Sequence, residues 1–293
     1  MNESPSDCVL SVDKPEGPTS HDVVQAARRA LGQRRIGHTG TLDPFASGLL
    51  LLCVGRATRL AEYLGALDKT YEAVAVLGRT TDTLDREGAL VEERSGWESL
   101  DAARVGDALA GFRGEIEQMP PQYSAKKVGG VAAHRIARRG GSVELAASRV
   151  NVYSIELTEV DLPRIGLRVR CSTGTYIRAL ARDIGETLGV GAHLSALRRT
   201  AMGSFSVEGA LPFDALGDPD AVRAAALDPL DALGHLPTLA VDGAAATRLL
   251  HGVSVPCTDE GLRGPVAVSH EGVLLAIGEW SEGALHPRKV FAE

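Results

Sequence analysis

Gly37-His38-Thr39-Gly40-Thr41-Leu42-Asp43-Pro44-Phe45-Ala46-Ser47-Gly48 runs directly into Leu49-Leu50-Leu51-Leu52-Cys53-Val54. Three glycines in the first stretch permit a tight backbone path and close approach of a ligand. Asp43 precedes Pro44, which pushes it toward an extended conformation and out of any helix. A carboxylate held at a fixed loop position can serve as a nucleophile or a base. An Asp before Pro also starts turns and caps helices. The segment is not a phosphate loop of the Walker type, whose pattern and Lys are absent. Leu49 to Val54 is the longest apolar run and has the length of a strand.

Upstream, Val9 to Val12 reads as a short strand entering the turn-rich Asp13-Lys14-Pro15-Glu16-Gly17-Pro18. Thr19 or Ser20 caps a helix through Leu31, with Val23, Val24, Ala27 and Leu31 as its apolar stripe and Gly32 as its stop. Downstream, a helix is expected over Ala57 to Leu64, a strand over Tyr71 to Leu77, a polar turn over Asp82 to Gly88 and a helix over Leu100 to Phe112. Pro120-Pro121 breaks the chain before a basic helix over Val131 to Arg139. Val150 to Val160 and Ile165 to Cys171 read as a hairpin around Asp161-Leu162-Pro163. Tyr176 to Leu188 is amphipathic, and Ala192 to Thr200 is short and basic at its end. From Leu236 short β-like runs broken by Gly suggest a separate small β-rich domain. Strands interleaved irregularly with helices favour an α+β fold with a mixed, largely antiparallel sheet flanked by helices.

The chain has 293 residues and a net charge of −7. Residues 121–200 nevertheless hold 13 Lys+Arg against 6 Asp+Glu, a net +7, between flanks of −6 and −8. A basic middle of this kind suits a local phosphate-binding face. No apolar run reaches the length of a membrane span. Four scattered cysteines, with no Cys/His cluster, point away from zinc and from a disulfide framework. A cytoplasmic, metal-free monomer is the expectation.

Six ordered stretches then carry a resemblance. They are Asp13-Lys14-Pro15-x-Gly17-x-Thr19-Ser20 with the Gly37–Leu50 segment, Asp68-Lys69-x-Tyr71, Thr81-Asp82-Thr83-x-Asp85-x-x-Gly88, Pro120-Pro121-x-Tyr123-Ser124-Ala125-x-Lys127, Cys171-Ser172-x-Gly174-Thr175-Tyr176-Ile177-Arg178, and Gly191-Ala192-His193-Leu194 with Leu197-Arg198-Arg199. Over roughly residues 9–205 the chain resembles the TruB family of tRNA pseudouridine synthases. The resemblance implies the pseudouridine synthase fold over 1–235 and a PUA-like domain over 236–293. It implies isomerisation of the T-loop uridine of tRNA (position 55), with no cofactor.

Asp43 matches the family's catalytic aspartate, which adds to the base at C6, to the sugar at C1′, or assists a glycal intermediate. Tyr71 matches the tyrosine that stacks on the target base, Arg178 the arginine that pairs with the aspartate, and Leu197 an apolar residue against the pocket. Tyr176 is expected in the same site. His38 is expected to contact the opened RNA loop. Lys14, Lys69 and Asp85 are candidate RNA contacts, and Lys126, Lys127, Arg135, Arg138 and Arg139 a clamp on tRNA phosphates. The target base has to leave its stack to reach Asp43. Two rival readings are an RNA-binding or RNA-folding protein without catalysis, and a glycosidase, which needs a second acid at a set distance.

Overall fold

The computed structural model describes residues 6–291 apart from 125, 129–130, 133–135, 137–140, 142–143 and 260. One large mixed sheet carries the chain up to Leu227. Its central order is Leu211–Pro212, Cys8–Lys14, Ser47–Val54, Ala192–Met202, Lys69–Leu77, Arg164–Cys171, Ser148–Asp161 and Gly114–Gln118. Most pairs are antiparallel, but Ala192–Met202 lies parallel to Ser47–Val54, with Arg198 opposite Ser47 and Arg199 opposite Gly48. Every residue from Gly48 to Val54 is buried. A strand covered on both faces has no polar side to alternate with, so its sequence reads as an unbroken apolar run.

The helices follow their sequence signals. Ser20–Leu31 starts at a reciprocal cap, in which the Asp22 amide donates to Thr19 Oγ1 and the Thr19 amide donates to the Asp22 carboxylate. It ends at Gly32 in the left-handed region. Ala102–Ala110 and Ile177–Thr187 cover one face of the sheet, and Val105, Leu109, Leu180 and Ile184 enter a core with Ala73, Val152, Ile165 and Leu167.

Two expectations need correction. The helix expected over 57–64 is a 3-10 turn, Gly55–Leu60, followed by a short helix, Ala61–Gly65. Val131–Ala132, placed in a basic helix, forms instead a strand pair with Lys127–Val128. The basic-ended stretch from Ala192 is a central strand, Ala192–Met202.

The C-terminal region forms its own five-stranded sheet, ordered Thr238–Ala240, Pro265–His270, Val273–Ser281, Ala284–Val290 and Val255–Pro256, with helix Gly243–Leu250 packed on it. It is not a bead on a string. Ala267, Leu274, Ile277 and Phe291 share one apolar cluster with Val9, Leu49, Leu51, Ala57 and Leu60 of the large sheet region. The Arg59 guanidinium donates to the Val290 carbonyl, and Lys289 Nζ donates to the Arg59 carbonyl at 2.6 Å. No helix among the described residues is long and apolar enough to cross a membrane.

Candidate active site

The loop bearing Asp43 is held from below by the Asp13–Ser20 segment. Ser20 Oγ accepts from the Leu42 amide at 2.8 Å and donates to the Leu42 carbonyl at 3.1 Å. On the other side of Asp43, the Pro44 carbonyl accepts from the Gly17 amide at 2.8 Å and from Lys14 Nζ at 3.3 Å. Lys14 Nζ also donates to the Pro15 and Pro18 carbonyls. These bonds fix the backbone immediately before and after the carboxylate, which is how a short loop holds a reactive group in one place.

Arg178 meets Asp43 with both edges of its fork. Nε lies 2.9 Å from Oδ2, and Nη2 donates to Oδ1 at 3.1 Å. The rest of the guanidinium is engaged as well. Nη1 donates to the Thr83 carbonyl at 2.7 Å and lies 3.3 Å from Asp85 Oδ2, while Nη2 also donates to the Tyr123 carbonyl at 2.8 Å. Arg178 is 5% exposed and Asp43 34%. The arginine is thus a fully committed brace, and the carboxylate is the member of the pair that faces the cleft.

One guanidinium between two carboxylates leaves an excess negative charge. Asp43 accordingly titrates above the ordinary carboxylate range. Burial is the main cause, Arg178 opposes it, and Asp85 adds to it. Arg178 therefore limits the upward shift rather than driving Asp43 below its usual range.

A cavity of about 240 Å³ opens beside Asp43, at the small end for ligand pockets. Its walls include Thr39, Tyr71, Ser172, Tyr176, Leu197 and Arg199, and Asp43 is the only carboxylate among them. Tyr71 is buried on the strand Lys69–Leu77. Burial pushes its phenol up, and the neighbouring Arg199 guanidinium pulls it down. Tyr176 sits at the start of helix Ile177–Thr187. Its amide donates to Gln118 Oε1 at 2.8 Å, and its carbonyl accepts from Gln118 Nε2 at 3.1 Å. Gln118 is buried and escaped the sequence reading. Arg199, named in the sixth matched stretch without a role, is 1% exposed; its Nε donates to the Leu49 carbonyl at 2.7 Å and Nη2 to the Gly40 carbonyl at 3.1 Å.

Other expected site residues lie elsewhere in the arrangement. Lys14, read as a candidate RNA contact, is wholly buried with its ammonium on three carbonyls. Burial lowers its pKa to about 8. Lys69 borders the cavity, but its ammonium donates to the Gly65 and Leu67 carbonyls, and burial lowers it to about 8 as well. Asp85, expected at RNA bases, is buried against Arg178, with Oδ1 accepting from Thr83 Oγ1 at 2.6 Å. His38 lies on the strand Ile36–His38, outside the set of cavity-lining residues; burial lowers its pKa. Lys126 Nζ donates to Ser148 Oγ and the Ala146 carbonyl. The Lys127 side chain and Arg135, Arg138 and Arg139 lie outside the described residues.

Residues 28–177 match the TruB family pseudouridylate synthase N-terminal domain, and residues 178–233 the tRNA pseudouridylate synthase B C-terminal domain. The chain belongs to the TruB family. It is 44% identical to the tRNA pseudouridine synthase B of Azoarcus sp. strain BH72, covering 98% of this chain and 95% of that one. It is also 44% identical to the tRNA pseudouridine synthase B of Thermobifida fusca, with 98% and 99% covered. Among solved structures it is similar to Cbf5 in an archaeal box H/ACA sRNP Nop10–Cbf5 complex, with a TM-score of 0.74, 27% identity, and 99% and 87% covered. As a TruB-family pseudouridine synthase the chain is an isomerase.

Proposed function

We propose that this chain converts the T-loop uridine of tRNA (position 55) to pseudouridine, with Asp43 as nucleophile and the target base flipped into the cavity. The reaction breaks the N1–C1′ bond, turns the base and forms a C5–C1′ bond. Substrate and product are isomers, so the chemistry calls for positioning and one reactive group rather than a co-substrate. A single observation carries the reading. Asp43, the sole carboxylate lining the cavity among the described residues, is gripped in two places by an arginine whose five donors are all engaged.

The small cavity suits one flat base rather than a stacked helix, and reaching it requires extrusion of the nucleotide. The Tyr71 ring offers a stacking surface, and Leu197 supplies an apolar wall. Asp43 then attacks at C6 or C1′, or assists a glycal. The fixed Arg178 fork orients its lone pairs and stabilises its charge. A glycosidase is disfavoured because Asp85, the second acid, stands behind Arg178 instead of facing the cavity. Residues 1–235 are proposed as the catalytic unit, and 236–293 as a PUA-like accessory unit packed onto it.

The test is pseudouridine mapping on an unmodified tRNA transcript, with affinity measured in parallel. Wild type should modify the T-loop uridine. Asp43→Asn should bind comparably and form no product. Product formation by Asp43→Asn at near wild-type rate would end the nucleophile assignment, and modification at another uridine would end the T-loop assignment.

A further inference from the structure

Four arginines fall within eight residues: Arg28 and Arg29 in the last turn of helix Ser20–Leu31, and Arg34 and Arg35 just beyond it. Among the described residues none of the four forms an ion pair. Arg56, Arg86, Arg94, Arg168, Arg170 and Arg223 all do. Two of the four are anchored through neutral oxygens. Arg28 Nη2 donates to the Ile36 carbonyl at 2.8 Å, and Arg35 Nε donates to Thr58 Oγ1 at 3.0 Å. Arg29, Arg34 and Arg35 are exposed.

A helix C-terminus favours cations by about 0.3–1 kcal/mol, which accounts for Arg28 and Arg29. It does not account for Arg34 and Arg35, which follow the helix stop at Gly32. Four guanidiniums close in sequence, none in an ion pair among the described residues, carry unneutralised charge, and an acidic protein has carboxylates to spare for pairing them. What they lack, and what the fold leaves room for, is an anion from outside.

The position of the patch selects the anion. Ile36–His38 pairs with the Val54–Leu52 end of strand Ser47–Val54, while Gly48, near the other end, packs on Arg199 at the cavity. Six residues of strand separate the two ends, roughly 20 Å at about 3.3 Å per residue. A loop nucleotide seated against Asp43 belongs to a hairpin whose stem lies within that reach. Duplex phosphates present charge at close, regular spacing and are met by guanidinium pairs.

We propose that Arg28, Arg29, Arg34 and Arg35 form a second RNA-binding surface. It grips backbone phosphates of the substrate's stem roughly 20 Å from the base cavity and without regard to sequence. This rests on the RNA substrate proposed above. It adds a contact the regional charge count conceals, because residues 1–120 are net negative.

The experiment compares wild type, R29Q/R34Q/R35Q and R29K/R34K/R35K for binding to an unmodified tRNA transcript from 50 to 200 mM salt. Pseudouridine formation under limiting RNA is followed in parallel. The Gln variant should lower the log–log salt slope by about one unit or slightly less per lost contact, two to three in all. It should also lose at least ten-fold in low-salt affinity and show a raised KM. The Lys variant should keep most of the slope, since phosphate accepts a point charge. A wild-type salt slope in the Gln variant overturns the proposal, as does equal loss of slope in the Lys variant. If instead wild type itself forms no pseudouridine, the functional reading fails, and the salt slopes still decide the surface.

Discussion

A Cβ on Gly48 would sit 2.3 Å from the carbonyl oxygen of Arg199 and 2.7 Å from its amide nitrogen. Gly48 also has φ of +104°, a conformation L side chains rarely adopt. The glycine therefore lets the first and last motifs of the site lie side by side as parallel strands. Gly48→Ala should cost several kcal/mol, roughly the sum of a strained backbone and a forced shift of neighbouring strands. The measurement is a urea unfolding midpoint. A variant within about 0.5 kcal/mol of wild type would show that the strands part easily.

In the nucleophile role proposed above Asp43 has to be ionised, and its raised pKa sets where that fails. The acid limb of kcat/KM should lie above the ordinary aspartate value, with activity lost as pH falls through it. Arg178 opposes the upward shift, so Arg178→Gln should slow the reaction and move the limb to higher pH. Arg178→Lys keeps the charge without the fork; it should be slower than wild type with a smaller displacement of the limb. A Gln variant whose limb moved down, or did not move, would contradict the electrostatics described.

Lys14 offers a test on stability rather than rate. Burial lowers its pKa from 10.5 to about 8. Between those values the unfolded chain binds more protons than the folded one, so stability rises with pH across that window. The slope is bounded by about 1.4 kcal/mol per pH unit for one group. Lys69 adds a like contribution, whereas Cys8, Cys53 and Cys171, pushed up to about 11–12, act oppositely above pH 9. Lys14→Met should flatten the rise between pH 8 and 9. It should also slow catalysis by removing one of the two donors to the Pro44 carbonyl, the Gly17 amide being the other. Unfolding midpoints at pH 7, 8 and 9 decide it, and an undiminished rise would be falsifying.

Removing residues 236–293 bares Leu49, Leu51, Ala57 and Leu60, which they help cover. Each large apolar side chain re-exposed costs about 1.5–3 kcal/mol. A chain ending near 235 should therefore melt well below wild type and tend to aggregate, so any lost activity would first reflect folding. A truncation with a wild-type Tm would show the two sheets to be independent.

Some of this was plain in the sequence because the signals are local. The cap at Thr19, the stop at Gly32 and the hairpin around 161–163 need only neighbouring residues. Asp43, Tyr71, Arg178 and Leu197 do line one cavity or brace it. Composition misled where burial overrides type. Lys14 and Lys69 read as candidate RNA contacts, yet the Pro44 carbonyl from a distant loop and the nearby Gly65 and Leu67 carbonyls hold their ammonium groups inside. Asp85 sits in a polar turn and still faces inward, because its partner is 93 residues away in the chain. Ala192–Met202 shows weak alternation because Arg199 points into the core that an apolar side chain ordinarily fills. Before Val131–Ala132, Gly129-Gly130 is a hairpin signal outweighed in the reading by the basic run that follows.

The pairing of Gly48 with Arg199 also governs when the protein comes into being. The strand Ser47–Val54 has one neighbour from the start of the chain and another drawn from 192–202. Contacts so remote in sequence form late and slowly, since a long loop must close before they return any energy. At about 5–20 residues per second, a ribosome that has finished this strand needs roughly 7–30 s more to deliver the second neighbour. Through that interval the apolar run 49–54 lacks its cover, and the Gly40 carbonyl lacks the guanidinium that fixes it. A nascent chain therefore holds Asp43 long before it holds the cavity around it.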